Sequence, residues 1–460
     1  MSTLTRVLST SALLLALGIQ SAWAADTLDP FNTDNSLHPL AGCAAFLPGE
    51  VLNLPQVVDG ALCNNPKTRE VWANARYQAA QVGVAKAAYL PSLTGTLAAS
   101  RSRTEVAGST VSANQRSAVL GLNWLLYDFG GREAGVDSAK ALLDAANATQ
   151  DTTVQTVWLA AVQAFYGVQA KQAALDAAKE SEAAAEKSYQ AAQARYQAGV
   201  ATPADSLQAK TAWSQAMLNR ISAEGALHTA EGALANVLGL DANKPVRVEP
   251  AATRVPPQRM AGDLSALIDQ ARRERPDLRA AEAQFKAAQA NVTVAKAAGR
   301  PSLSLTANSN GVDTQGSPFT RGNTVGVNLT IPLFSGFSTN YRIRAAEAQA
   351  DAKSAQLETL RLQVGLDVWN AWQNLTTATQ SLTATDDLYA SAQQADEVAL
   401  GRYKAGVGTI LDVLNAQSAL ASARQQKVQA VYNWNISRAA LAQAMGQADL
   451  LQLAETKVQP

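Results

Sequence analysis

From Arg132 to Gln197, and again from Ser338 to Lys404, the chain runs through Ala, Gln, Leu and charged residues without one proline. Each stretch is expected to form one helix, and at a rise of about 1.5 Å per residue such a helix is on the order of 100 Å long. No compact globular domain holds that length twice, so the 460 residues must build an extended architecture. The composition suits long, closely packed helices, with only 17% charged and 6% aromatic residues. A formal net charge of zero gives no basic footprint for nucleic acid.

The two helical stretches are copies. RYQAGVATPADSLQAK, from Arg195 to Lys210, returns as RYKAGVGTILDVLNAQ from Arg402 to Gln417, displaced by 207 positions. VAKAAYLPSL (Val84 to Leu93) returns as VAKAAGRPSL (Val294 to Leu303), and Pro66-Lys67-Thr68-Arg69 as Pro276-Asp277-Leu278-Arg279, both displaced by 210. LGLNWLLYDFGG (Leu120 to Gly131) aligns with VGVNLTIPLFSG (Val325 to Gly336) at 205. A tandem duplication with altered loop lengths is the simplest account.

Each copy has the same order of elements. A short helix (55–63, then 263–274) and a second helix (67–88, then 277–298) end before Pro91 or Pro301. Two alternating segments follow. Leu93, Gly95, Leu97 and Ala99, then Leu120, Leu122, Trp124 and Leu126, mark apolar faces in the first copy, as Leu303, Leu305 and Ala307, then Val325, Val327, Leu329, Ile331 and Leu333, do in the second. Period two with one apolar face predicts half-buried strands. Next come the long helix, the repeated turn and a helix over 203–238 or 410–445. The expected domains are therefore a first repeat at 66–240, a Pro-rich connector at 241–262, a second repeat at 263–447 and a tail at 448–460. In the last helix Val413, Leu420, Trp434 and Leu441 keep a seven-residue spacing, interrupted at Lys427, which predicts a coiled-coil seam.

The N-terminus points to export. Arg6 precedes the apolar run Ser11 to Ile19 and the small-residue site Ala22-Trp23-Ala24, so residues 1–24 are expected to be a cleaved signal peptide. A periplasmic segment would then occupy 25–65. The polar stretch before Leu40-Ala41-Gly42-Cys43 argues against lipidation at Cys43. Cys43 and Cys63 are the only cysteines; they either form a disulfide worth about 3 kcal/mol or stay as two thiols. With His38 and His228 the only histidines, neither a metal cluster nor a cofactor is expected.

No mature segment has the ~18 uninterrupted apolar residues of a membrane helix, whereas the alternating segments match the ~9 to 11 residues of a barrel strand. Four strands cannot close a membrane barrel, since the smallest have about eight. Two copies would give eight strands and an interior filled by side chains, whereas three, the number expected here, would supply twelve strands and room for a channel. The aromatic residues Trp124, Tyr127, Phe129, Phe334 and Phe337 stand at strand ends, where an interfacial girdle facing outer-membrane lipid would lie. A soluble periplasmic coiled-coil scaffold would explain the helices but not the duplicated strands.

Taken together, the signal peptide, the duplicated strand-strand-helix-turn-helix unit, the PSL strand starts, the LF-x-G strand end and RYKAGVGTILDVLNAQ resemble the TolC family of outer-membrane efflux and secretion channels. The resemblance spans nearly all of the mature chain. It implies a homotrimer whose twelve-stranded barrel continues into a tunnel of twelve helices, reaching an inner-membrane pump through a periplasmic adaptor protein. It also places the repeated turns at the periplasmic tip. There Asp412, Asp205, Asn415 and Tyr403 would line the pore constriction, and Gly199, Val200, Gly406, Val407 and Thr409 would form the adaptor-docking surface.

Helix chemistry alone also accounts for several of these residues. Gly199 and Gly406 fit the left-handed position after a helix, Thr202 and Thr409 the cap of the next, and Asp205 and Asp412 the third residue of a capping box. Two departures from the best-known family pattern stand out: Asn415 where a second acidic residue is usual, and Gly408 where a basic residue can tie the closed state. No G-x-S-x-G, H-E-x-x-H, phosphate loop or dinucleotide fingerprint is present, so an enzyme is not expected. The expected function is an exit duct, as in type I protein secretion, with small-molecule efflux as the alternative.

Overall fold

A computed structural model describes residues 29–37, 51–106, 108–244, 246–250 and 263–447. The signal segment, Cys43, most of the connector and the tail lie outside the described residues. A tiny parallel ribbon pairs β1 (Val51–Leu52) with β4 (Arg247–Val248). The first copy otherwise comprises α1 (Leu54–Asn64), α2 (Pro66–Ala87), β2 (Ser92–Val106), β3 (Ser109–Tyr127), α3 (Gly131–Gln197) and α4 (Pro203–Val237). The second comprises α5 (Leu264–Glu274), α6 (Pro276–Ala297), β5 (Ser302–Thr314), β6 (Thr320–Thr330), α7 (Ser338–Lys404) and α8 (Ile410–Ala444). Duplication holds at the level of whole elements: α3 and α7 have 67 residues each, and α4 and α8 have 35 each.

The chain divides into two compact units. One contains residues 1–38, 75–143 and 286–350, and the other 39–74, 144–285 and 351–460. Each unit therefore draws on both copies.

The first unit contains one antiparallel sheet in the order β2-β3-β5-β6. Its register sorts side chains by polarity. Leu93 pairs with Leu122, Trp124 with Leu305, Leu303 with Leu329 and Leu305 with Val327, while Asn123 pairs with Ser92 and Thr306, and Ser304 with Asn328. Because neighbours across a ladder share a face, one side of the sheet is apolar and the other polar. The apolar side is not covered: Leu97 is 87% exposed and Val325 74%. The strands depart from the sequence expectation in length. With 15 and 19 residues, β2 and β3 run past the apolar alternation into Arg101, Arg103 and Glu105, because their ladder continues unbroken to the hairpin at Val106 and Ser109. In contrast, β6 stops at Thr330, before Ile331 and Leu333. Pro332 follows and cannot donate to a ladder.

Aromatic residues close this unit's strand ends. Phe129 and Phe337 take left-handed backbone, φ 54° and 63°, just before α3 and α7. Edge-on ring contacts, Tyr127 with Phe129 at 4.8 Å and Phe334 with Phe337 at 5.4 Å, accompany those turns. All four rings remain substantially exposed.

The second unit contains most of the long helices and two apolar cores related by the duplication. Val157, Ala161, Val168, Leu175 and Leu234 lie in one, and their partners 207 positions on, Val364, Val368, Leu375, Leu382 and Leu441, lie in the other. All four residues of the predicted seam are buried: Val413, Leu420, Trp434 and Leu441. Lys427, which interrupts the spacing, lies 2.8 Å from Asp386 and 4.9 Å over the ring of Tyr389 on α7. Polar contacts give the lateral order α4, α3, α8, α7: Arg220 with Glu182 at 2.6 Å, Arg424 with Glu180 at 3.2 Å, then Lys427 with Asp386. At the far end of α4, the amide of Asn65 donates to the Val237 carbonyl at 3.0 Å, joining the α1–α2 junction to that helix terminus.

Candidate functional site

Both copies of the repeated turn are built by the same bonds. The Val200 N–H donates to the Arg195 carbonyl and the Val407 N–H to that of Arg402, each at 3.0 Å, a six-to-one closure that requires left-handed backbone one residue earlier. Glycine supplies it, with φ 72° at Gly199 and 78° at Gly406. Thr202 and Thr409 then cap α4 and α8. Their hydroxyls accept from the Asp205 and Asp412 N–H groups, and the carboxylates accept in return from the Thr202 and Thr409 N–H groups at 2.9 and 3.0 Å. The hydrogen bond from the Thr409 backbone, assisted by its hydroxyl and by the positive charge of Arg402, holds the Asp412 carboxyl below the usual carboxylate range.

The turns present different groups to solvent. Asp412, Asn415 and Thr409 are exposed and Asp205 is half-buried. Val200 and Val407 project freely, 65% and 68% exposed, beside the exposed Gly199 and Gly406. Tyr403 is placed otherwise. Only 7% exposed, it lies in one buried cluster with Ile410 and Val413 of α8, Ala192 of α3 and Ala209 of α4. The guanidinium carbon of Arg195 stands 4.8 Å over its ring, and Nη1 donates to its carbonyl at 3.0 Å. This contact ties the first turn to the second, and sequence reasoning missed it although Arg195 opens the repeated motif. A second missed tie is the Gln417 amide donating to the Ser188 hydroxyl at 3.0 Å.

At Gly408 a Cβ would approach the Tyr403 nitrogen and the Arg402 Cβ tightly, at 3.1 Å. Elsewhere, Cys63 on α1 is disulfide-bonded, while Cys43 lies outside the described residues. Among the described residues no group of His, Cys, Asp and Glu is arranged to hold a metal, and no helix is long and apolar enough to cross a membrane.

Both copies of the unit match a known family: residues 57–240 and 267–447 fit the family described as Outer membrane efflux protein. The chain belongs to that family of channel proteins, and its location is the outer membrane. Protein CyaE of Bordetella pertussis is 33% identical over 82% of this chain and 80% of its own length. Outer membrane efflux protein BepC of Brucella suis is 29% identical over 92% of this chain and 93% of its own. Among solved structures, the Campylobacter jejuni CmeC outer membrane channel superposes with a TM-score of 0.78 at 19% identity, covering 87% of this chain and 88% of that one. The fold is thus that of the TolC-like outer-membrane channels, mostly helical with one larger sheet.

Proposed function

We propose that three copies of this chain close their sheets into one twelve-stranded barrel and join their helices into a tunnel, forming the exit duct of a tripartite transport system. One observation carries this reading. The sheet has two free edges, β2 and β6, and an exposed apolar face. Free edges are untenable in lipid, where every backbone N–H and C=O must be paired, and closure on neighbouring copies satisfies them. The apolar face then meets hydrocarbon and the polar face lines the channel.

Energy for transport comes from an inner-membrane pump, reached through a periplasmic adaptor that docks at the repeated turns around Gly199, Val200, Gly406, Val407 and Thr409. Asp412, with Asp205 and Asn415, lines the mouth, and three copies of Asp412 around one axis favour cations. Tyr403 acts from beneath the mouth by holding the two turns together.

The cargo proposed is a polypeptide of a type I secretion system. A second reading, export of small molecules, is favoured by the family description and by the name of the Brucella suis relative. Deleting the gene separates them. Loss of one polypeptide from the medium supports the first, and drug sensitivity with an unchanged set of secreted proteins supports the second. The duct itself is tested with purified full-length protein, which is expected to migrate as a trimer unless boiled and to conduct in planar bilayers. A boiling-independent monomer without conductance would sink the proposal.

A further inference from the structure

The contact between Arg195 and Tyr403 joins the first copy of the unit to the second. Shifting each partner by 207 positions exchanges them for Arg402 and Tyr196, an identical pair of residue types. Within one chain these two do not reproduce the contact: Arg402 donates to its own turn and Tyr196 is exposed. Arg195 lies in the last turn of α3 and Tyr403 in the last turn of α7, just before the chain turns into α8. The helices follow one another as α4, α3, α8, α7, so the α3 side of the first turn meets the α8 side of the second inside the chain, whereas α7 and α4 take the outer positions.

Exposure at several matched positions agrees with a missing neighbour. Tyr403 is 7% exposed and Tyr196 45%. Ile410 and Val413 are buried, while their counterparts Pro203 and Ser206 are exposed and half-buried. Arg195 reaches across to the Tyr403 carbonyl at 3.0 Å, yet Arg402 folds back on its own turn, donating to the Val407 carbonyl at a long 3.5 Å. Further along the same flank, the Gln155 amide of α3 donates to the Gly446 carbonyl after α8 at 2.8 Å, and Val162 of α3 is fully buried in a cluster that includes Ala439 of α8. Their counterparts on α7, Leu362 and Trp369, are 69% and 46% exposed.

We infer that Arg402 in the last turn of α7 of one copy clasps Tyr196 in the last turn of α3 of the next, stacking on its ring and bonding its carbonyl. The second turn of one subunit then meets the first turn and α4 of its neighbour, as the first turn meets the second turn and α8 within each chain. The occupant of the exposed α7 flank is therefore α4 of a second copy of this chain. A ring of such contacts alternates clasps within a chain with clasps between subunits. This inference rests on the trimeric duct proposed above.

The test uses full-length protein in outer membranes carrying Arg402→Cys with Tyr196→Cys, oxidised and then boiled without reductant. Covalent dimers and trimers are expected in the double variant and not in either single variant. The control, Arg195→Cys with Tyr403→Cys, is expected to close a bond inside one chain with no change in subunit number. Trimers that stay intact unboiled but form no bond between subunits, while the control pair oxidises, would overturn the clasp and leave the duct reading standing. Absence of any trimer from the unsubstituted protein would overturn both. An independent measurement avoids cysteines: Arg402→Ala and Tyr196→Ala should each shift the closed–open equilibrium in bilayer recordings by about twofold to fivefold per interface, with no further gain when combined. Recordings identical to the unsubstituted channel in both variants would also refute the clasp.

Discussion

Asp412 and Asp205 occupy matched positions with matched hydrogen bonds, yet only Asp412 projects fully into solvent. Its carboxyl titrates below the usual range because the Thr409 N–H stabilises the charged form. A depressed carboxyl contributes stability above its unfolded pKa, about 3.9, and loses that contribution as pH falls through the lower folded value. The cap and its charge therefore persist at neutral and mildly acidic pH. Replacing Asp412 separates the two roles. Asp412→Asn keeps an oxygen acceptor for Thr409 but removes the charge, so cation selectivity in planar bilayers should fall as in Asp412→Ala, while Tm should fall further in the Ala variant than in the Asn variant. Unchanged selectivity in both would leave Asp412 as a cap alone. The capping roles of these residues were legible from type and spacing. The burial of Tyr403 was not, because Arg195 covers it from 208 positions away.

The helical elements are repeated almost residue for residue, and the reason is packing. Val157 and Val364, or Leu234 and Leu441, occupy the same place in two cores where Val, Leu and one buried Trp each, Trp158 and Trp434, interlock with Ala. Leu441, 1% exposed, has no room to be truncated without leaving a cavity. Leu441→Ala should cost about 2 to 5 kcal/mol, read as a lowered thermal midpoint of the extracted protein. Helix extents were readable to within a residue or two because proline and the glycine turns punctuate them sharply. Strand lengths were not: the outer parts of β2 and β3 are held by backbone ladder bonds, and residues such as Arg101 and Glu105 carry no alternating apolar signal.

In the proposed duct, the turns would serve both the mouth and the adaptor. Gly406 has open space around the position of a Cβ, so a side chain there meets no neighbour inside the chain, only the backbone cost of φ 78°. That cost is about 1 to 2 kcal/mol for a residue other than glycine. A bulky substitution such as Gly406→Phe should thus leave trimers in the outer membrane and abolish export by blocking the adaptor. If export survived at normal levels, the docking role would be wrong. Gly406→Asn, which tolerates left-handed backbone, separates bulk from strain and should retain more export than Phe.

Amino-acid order settled the duplicated unit, its helices and the chemistry of the turns, because caps, prolines and period-two alternation act over a few residues. Membership in the family was also legible, since those local signals recur in a fixed order along nearly the whole chain. Tertiary structure decided which of two equivalent residues is covered. Tyr196 and Tyr403 begin as the same residue in the same motif, and only the order of the packed helices buries one beneath Arg195 and leaves the other facing outward. Duplicated sequence is symmetric, but a single chain has two ends, and its outermost helices have no neighbour on one side.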